Sequence, residues 1–286
     1  MKVVRTGKYR QDTMERLVEI NSLEQLHNRF KRMDYFLGFI QARISGVFPQ
    51  YVDNLITKYQ NLLHNERKDA IPVDLDDIVS ENPHMKECPE LARLVLNYIL
   101  QILQLPTEDP LGETKVVNRA YFQSWSHHNY SNLVVLTETI GRKEAIALYK
   151  RFVTHFSMEK RDPNRVTVDN LEDVFIKRTE PEVTPSDWEI VHTMIGDGKY
   201  ALRNDNCVFL TAIGDDFPDT ELKYHVCCYG DYENFKVHHD SIILTMEHTI
   251  AQGDPYCSRV LHDTRVDWDL RHPPKSFWDS LEPEND

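Results

Sequence analysis

The spacing of apolar residues changes once along this chain, near Pro185, and that change limits the folds open to it. Over the first 180 residues apolar positions recur three and four apart, the period of a helix buried on one side. After Pro185 the segments are short and alternate, the period of a strand, with Gly and Asp turn signals between them. Helices first and strands later predict an α+β fold: a helical N-terminal half packed on a C-terminal antiparallel sheet. A parallel, doubly wound sheet is not expected.

The run from Leu17 through Leu26, Phe30, Met33 and Leu37 to Ile40 predicts helix across Tyr9–Ile44, broken at Asn21-Ser22. Ser22 is the expected cap there, with Gln25 three residues on. A second helix is expected over Phe48–Leu63, with Pro49 in its first turn. Pro72–Pro89, acidic and proline-containing, reads as a surface loop. Pro89 then opens a helix through Gln104 that Pro106 stops. Asn118–Thr139 and Arg142–Glu159 read as helices joined at Gly141, followed by a short one over Asp169–Lys177. Strands are expected at Trp188–Ile195, Tyr200–Arg203, Lys223–Cys228, Ser241–Ala251 and Tyr256–Thr264. Their turns are Gly196-Asp197-Gly198, Gly214-Asp215-Asp216 and Gly253-Asp254-Pro255. The organisation this implies is a helical region over 1–110, an α+β domain over 111–264 and a tail over 265–286 lying on the surface.

Charge narrows the function. Lys and Arg total 33 against 46 Asp and Glu, a net charge of −13 over 286 residues. That argues against nucleic acid and against anionic membrane surfaces, both of which need a basic face. Ten glycines, with no P-loop and no dinucleotide fingerprint, point to no nucleotide cofactor. The longest apolar stretch, Leu94–Leu105, is interrupted by Asn97, Gln101 and Gln104 and is too short to span a bilayer. The charged start, Met1–Ile20, lacks the apolar core of a targeting segment. Five cysteines, an odd number, do not make a disulfide framework, so a reducing cytoplasm is the expected location.

The chemistry concentrates between Tyr224 and Asp263. Cys227, Cys228, Asp231, His238-His239, Glu247-His248, Cys257, Arg259 and His262 all fall there. His, Cys and carboxylate ligands suit zinc, but no Cys-x-x-Cys and no His-Glu-x-x-His is present, so no metal is expected. A cysteine nucleophile is the other reading: Cys257, Cys227 or Cys228 as thiol, His128 or His248 as proton partner, and Glu247 or Asp231 orienting the histidine. On a strand the adjacent Cys227 and Cys228 would face opposite sides, so at most one would see a pocket. In the expected hairpin Gln252 stands opposite Cys257, which sets Glu247 opposite His262.

A second cluster, Tyr121, Trp125, His128 and Asn132, falls on one face of the Asn118–Thr139 helix. Aromatics mixed with an imidazole and an amide suit the wall of a pocket for a small polar ligand, and suit equally a core face bonded to backbone. Arg259 is the first choice to hold a substrate carboxylate, with His262 beside it.

The segment Glu247-His248-Thr249-Ile250-Ala251-Gln252-Gly253-Asp254-Pro255-Tyr256-Cys257 resembles the L-2-amino-thiazoline-4-carboxylic acid hydrolase family. Thr249, Ala251, Gly253, Asp254 and Cys257 fit its sheet-ending pattern, Cys227 or Cys228 with Asp231 fits its upstream pair, and Asn206-Cys207-Val208-Phe209 its earlier Cys. The likeness covers Asn118–Thr264, and the same ending is similar to small-molecule-binding domains of the 4-vinyl reductase type. Cys257 is followed by Ser258-Arg259-Val260 where the family has Asp-Phe-Arg. The resemblance implies a hydrolase that opens a small cyclic substrate at a carbon–nitrogen bond. A non-catalytic binding domain and a lyase or isomerase on the same scaffold stand as alternatives. The partner expected is a small molecule, and a homodimer stays open. What separates enzyme from binding module is a cysteine of depressed pKa within reach of a histidine.

Overall fold

The computed structural model describes residues 2–63, 73–105, 110–159, 170–180, 187–196, 198–215, 217–238 and 240–281. Pro72, Pro106, Pro185, Asp197, Asp216, His239 and the 282–286 end of the expected tail lie outside them. Two compact units are present. One comprises Met1–Thr13, Val153–Gly214 and Pro218–Asp286; the other comprises Met14–Phe152 and Asp215–Phe217. The division falls inside a helix at Phe152-Val153, not near residue 110.

The chain opens with strand β1 (Val3–Thr6), part of the first unit. The helical unit follows: β2 (Leu17–Asn21), α1 (Ser22–Gln41), α2 (Phe48–Leu62), α3 (Leu75–Val79), α4 (Pro83–Lys86), α5 (Pro89–Leu103), β3 (Glu113–Val117), α6 (Asn118–Ile140) and most of α7 (Arg142–Glu159). Leu17–Asn21, expected to be helical, is a strand, because it pairs antiparallel with β3 from Leu17↔Val117 to Asn21↔Glu113. The α1 cap is Asn21, whose side chain accepts from Glu24 N at 3.0 Å; the Ser22 hydroxyl instead donates to Pro110 O at 2.6 Å. The expected loop before Pro89 contains α3 and α4. Asp74 caps α3, accepting from Asp76 N at 3.0 Å, and Pro83 starts α4. α5 ends where Gln104 turns left-handed, at φ 51°. Phe30, Met33, Leu37, Tyr51, Leu55, Leu96 and Leu133 form the buried interior of this unit.

The sheet unit continues with α8 (Leu171–Thr179), β4 (Ile190–Gly196), β5 (Lys199–Asn204), α9 (Val208–Ile213), α10 (Thr220–Cys227), α11 (Tyr229–His238), β6 (Ile242–Met246), β7 (Cys257–Asp263) and α12 (Lys275–Asp279). Its five strands run in the order β1-β4-β5-β7-β6, every pair antiparallel. A helical N-terminal half and a C-terminal antiparallel sheet thus make an α+β fold, with one strand of the sheet drawn from the chain start.

Three expectations are corrected here. Lys223–Cys228 is helix, not strand, because Asp219 caps α10 by accepting from Leu222 N at 3.1 Å. The β6–β7 ladder pairs Ile243 with His262 and Thr245 with Val260, so Glu247 does not face His262. A 3-10 turn, Ile250–Gln252, lengthens the connection and shifts the register by four residues from the tight hairpin expected. The segment after β7 is also more than a surface tail. One sheet face packs Tyr200, Leu202, Leu244 and Leu261 against Leu171, Val174 and Phe175 of α8. The other packs Val191, Ala201 and Val260 against Trp278 and Leu281, which are fully buried. Among the described residues no helix is long and apolar enough to cross a membrane.

Candidate functional site

The sheet unit gathers four of the five cysteines around one cavity. β5 and β7 set Asn204 opposite Cys257, and strand alternation puts Arg259 on the same face as Cys257. Asn206 and Cys207 lead from β5 into α9, Cys227 and Cys228 close α10, and Asp231 lies in the first turn of α11. With Trp188, Ile190 and Phe209 these residues line a cavity of about 220 Å³. Cys227 and Cys228 both reach it. The helical turn separates neighbours by about 100° rather than the 180° of a strand, so the expectation that at most one would see a pocket is corrected.

Asp231 Oδ2 pairs with Arg259 Nη2 at 2.7 Å. Asp231 therefore orients a guanidinium, not a histidine. Burial alone would lower the Arg259 pKa, but Asp231 and the thiols of Cys257, Cys228 and Cys207 outweigh it and raise it, so the group stays charged. Arg178, on α8 and 4.9 Å from the Phe235 ring centroid, lies close enough to feel both Arg259 and Asp231. It makes no ion pair with a carboxylate of the described residues. Asp231 thus lies within reach of two guanidinia, and Asp254 also acts on Cys257.

Two buried polar atoms of the lining have no partner: Arg259 Nε and Asn204 Oδ1. A buried unsatisfied group costs about 1–3 kcal/mol, so two residues of the lining carry unmet hydrogen-bonding capacity, one a donor and one an acceptor. Asn206 is different. It accepts from Glu189 N at 2.7 Å and donates to Asp187 O at 2.8 Å, which fixes the wall.

Burial pushes all four thiols up: Cys207 to about 11, Cys227 and Cys228 well above the ordinary range, and Cys257 upward. In Cys257 this rise is opposed by Arg259 and by the Ile250 N–H, which donates to Sγ at 3.3 Å. Among the described residues no histidine lines the cavity.

The other expected site residues lie elsewhere. His248 Nδ1 is 3.4 Å from Asp254, and Glu247, exposed, is 3.9 Å from His272. His262 is on the opposite sheet face, bonded to Thr245 and Asp267. Tyr121, Trp125, His128 and Asn132 belong to the helical unit and do not line the cavity. There the Arg29 guanidinium lies 4.4 Å from the Trp125 ring and 5.5 Å from that of Tyr121, and Asn132 Nδ2 reaches Met33 Sδ at 3.0 Å. His128 is buried with both ring nitrogens unpartnered, and burial, with Arg32 and Arg29, pulls its pKa down to about 3. It is neutral at pH 7.

Trp188, Ile190 and Asn204 are the lining residues that sequence reasoning missed. Their place depends on strand pairing and on a loop, and only the Asn206–Phe209 likeness pointed near them. Among the described residues no group of three His, Cys, Asp or Glu side chains is placed to hold a metal ion. In comparisons with known proteins, the chain matches no protein-family model, no curated protein and no solved structure.

Proposed function

We propose that the sheet unit binds a small cyclic carboxylate in the four-cysteine cavity. The observation that carries this reading is the pair of unpartnered atoms, Arg259 Nε and Asn204 Oδ1. A carboxylate oxygen would accept from Arg259 Nε, and a ring N–H would donate to Asn204 Oδ1. The charged Arg259 guanidinium in the lining, with Arg178 near it, favours an anion. A cavity of about 220 Å³ holds the equivalent of about seven waters at about 30 Å³ each, room for one compact ring. Protonated thiols with Trp188, Ile190 and Phe209 form a soft, largely apolar wall for its body.

Ring-opening hydrolysis through Cys257 is the second reading, supported by the Ile250 N–H and Arg259 acting on that sulfur. The S–C bond would form as the thiol proton passes to the ring nitrogen and the C–N bond breaks. Water would then cleave the S–C bond, returning one proton to sulfur. Raised thiols, and no histidine among the described residues of the lining, favour binding over this chemistry.

Calorimetry with five-membered cyclic amidine and lactam carboxylates tests the binding, using the wild type, Arg259→Met and Asn204→Leu. Affinity is expected to fall at least tenfold in each variant, and no binding at millimolar concentration would overturn the reading. Turnover of any ligand that binds decides the second reading: a loss on the order of 10³ in Cys257→Ala supports a hydrolase, and no turnover supports a binding module.

A further inference from the structure

On the sheet face opposite the cavity, a chain of short hydrogen bonds ties the segment after β7 to the strands. Asp267 Oδ2 is 2.6 Å from His262 Nδ1, His262 Nε2 is 2.6 Å from Thr245 Oγ1, and the same hydroxyl is 2.6 Å from His272 Nε2. The proton positions follow from chemistry. The carboxylate of Asp267 only accepts, so His262 carries its proton on Nδ1 and accepts at Nε2 from Thr245. The hydroxyl has one proton to give, so it accepts in turn from His272 Nε2–H. His272 Nδ1 is left bare, buried and without a hydrogen-bond partner, 3.9 Å from Glu247.

Thr245 and His262 stand on β6 and β7, whereas Asp267 and His272 belong to the segment that carries Trp278 and Leu281. We propose that this chain is a proton-sensitive clasp: acidification releases residues 265–281 from the back of the sheet and uncovers the apolar face beneath. The bonding pattern allows one added proton, at His272 Nδ1. A second, on His262 Nε2, aims two N–H donors at one hydroxyl and strands the hydroxyl's own proton. Burial holds both imidazoles below their ordinary range. Asp267 opposes this for His262, as Glu247 does for His272. The released segment therefore binds protons better than the closed one. Closure is complete above about pH 6.5 and weakens as pH falls below it.

The other charged groups facing these rings are Lys199 on β5, Asp269 and His248. Lys199 Nζ bridges Asp267 at 3.3 Å and Asp269 at 3.1 Å. It is a partly exposed tie, worth about 1 kcal/mol or less.

Hydrogen exchange on the full chain at pH 7.5 and 5.5, normalised to intrinsic rates, tests the clasp. Exchange in 265–281 is expected to rise, by at most about tenfold for each responding histidine, while β4 and β5 stay protected. His272→Gln keeps an Nε2 donor for Thr245 and cannot take up the proton, so its response is expected to be smaller, by at most about tenfold. Glu247→Gln, at an exposed position, removes the carboxylate facing His272. Exchange at pH 5.5 then exceeds the wild type, with no change at pH 7.5. Equal protection of 265–281 at both pH values overturns the proposal, as does loss of protection spread evenly over all strands. A wild-type response in His272→Gln overturns it too; if that variant does not fold, an unchanged response in Glu247→Gln does so.

Discussion

Asp231 holds Arg259 by one oxygen at 2.7 Å, and the same guanidinium leaves its buried Nε without a partner. The ion pair fixes where the positive charge sits without consuming its full donor capacity. Asp231→Asn keeps the shape and removes the counter-charge. Arg259 and Asp231 are 21% and 29% exposed, so the expected cost is about 1–2 kcal/mol rather than the 3–5 kcal/mol of a fully buried broken pair. Anion affinity is expected to rise, by roughly tenfold, as the cavity gains net positive charge. Urea unfolding and calorimetry measure the two effects.

The raised thiols set an order of reactivity. Cys207, at about 11, carries on the order of a hundredfold less thiolate near neutral pH than an ordinary cysteine. Alkylation of the four cavity cysteines by iodoacetamide at pH 7.5 is expected to be at least about tenfold slower than that of a small free thiol, and to climb with pH above 8. A bound cyclic carboxylate is expected to slow Cys207 and Cys257 further. Mass spectrometry of timed reactions reads both.

His128 makes the helical unit sensitive to acid. Its folded pKa of about 3 lies below the ordinary imidazole value, so the unfolded chain binds the proton more tightly. The contribution is complete above pH 6.5 and is lost as pH falls toward 3, at about 1.4 kcal/mol per pH unit. His128→Leu removes the titration and the unpartnered nitrogens together. Relative to the wild type it is expected to gain about 2 kcal/mol between pH 7 and pH 5. Denaturant unfolding at the two pH values, with hydrogen exchange on α6, checks the size and the location.

Trp278 tests the back of the sheet at neutral pH. Its ring is fully buried on Val191, Ala201 and Val260, and its Nε1 donates to Pro273 O at 3.2 Å. Trp278→Ala is expected to cost about 3–5 kcal/mol in urea unfolding, whereas truncating Trp268, which is 85% exposed, stays within about 0.5 kcal/mol.

Local pattern alone was enough for much of the architecture. The apolar period located α6 and α7, whose observed bounds match the expected Asn118–Thr139 and Arg142–Glu159 within one residue. Proline at the first turn marked α2 and α5, and Gly-Asp signals separated strands that do form. These features depend on neighbours three or four residues away, which the sequence shows directly. The concentration of cysteines with Asp231 and Arg259 between Tyr224 and Asp263 was visible for the same reason.

Tertiary structure decided the rest. Leu17–Asn21 has a helical spacing but pairs with a strand about 100 residues on, and a ladder partner outweighs weak local propensity. The β6–β7 register could not be read, because a turn lengthened by Ile250–Gln252 moves every cross-strand pair. That register sets His262 and Thr245 on the opposite face from Cys257 and Arg259. Burial, which is a property of the packed chain, makes His128 neutral and raises the thiols, so residue types that promised a nucleophile and its base became cavity wall and core. Local pattern settled most of the elements and which chemical groups are present. Only the packing of strands from distant parts of the chain decided which groups meet and in what charge state, because proximity and desolvation arise from contacts that no local pattern encodes.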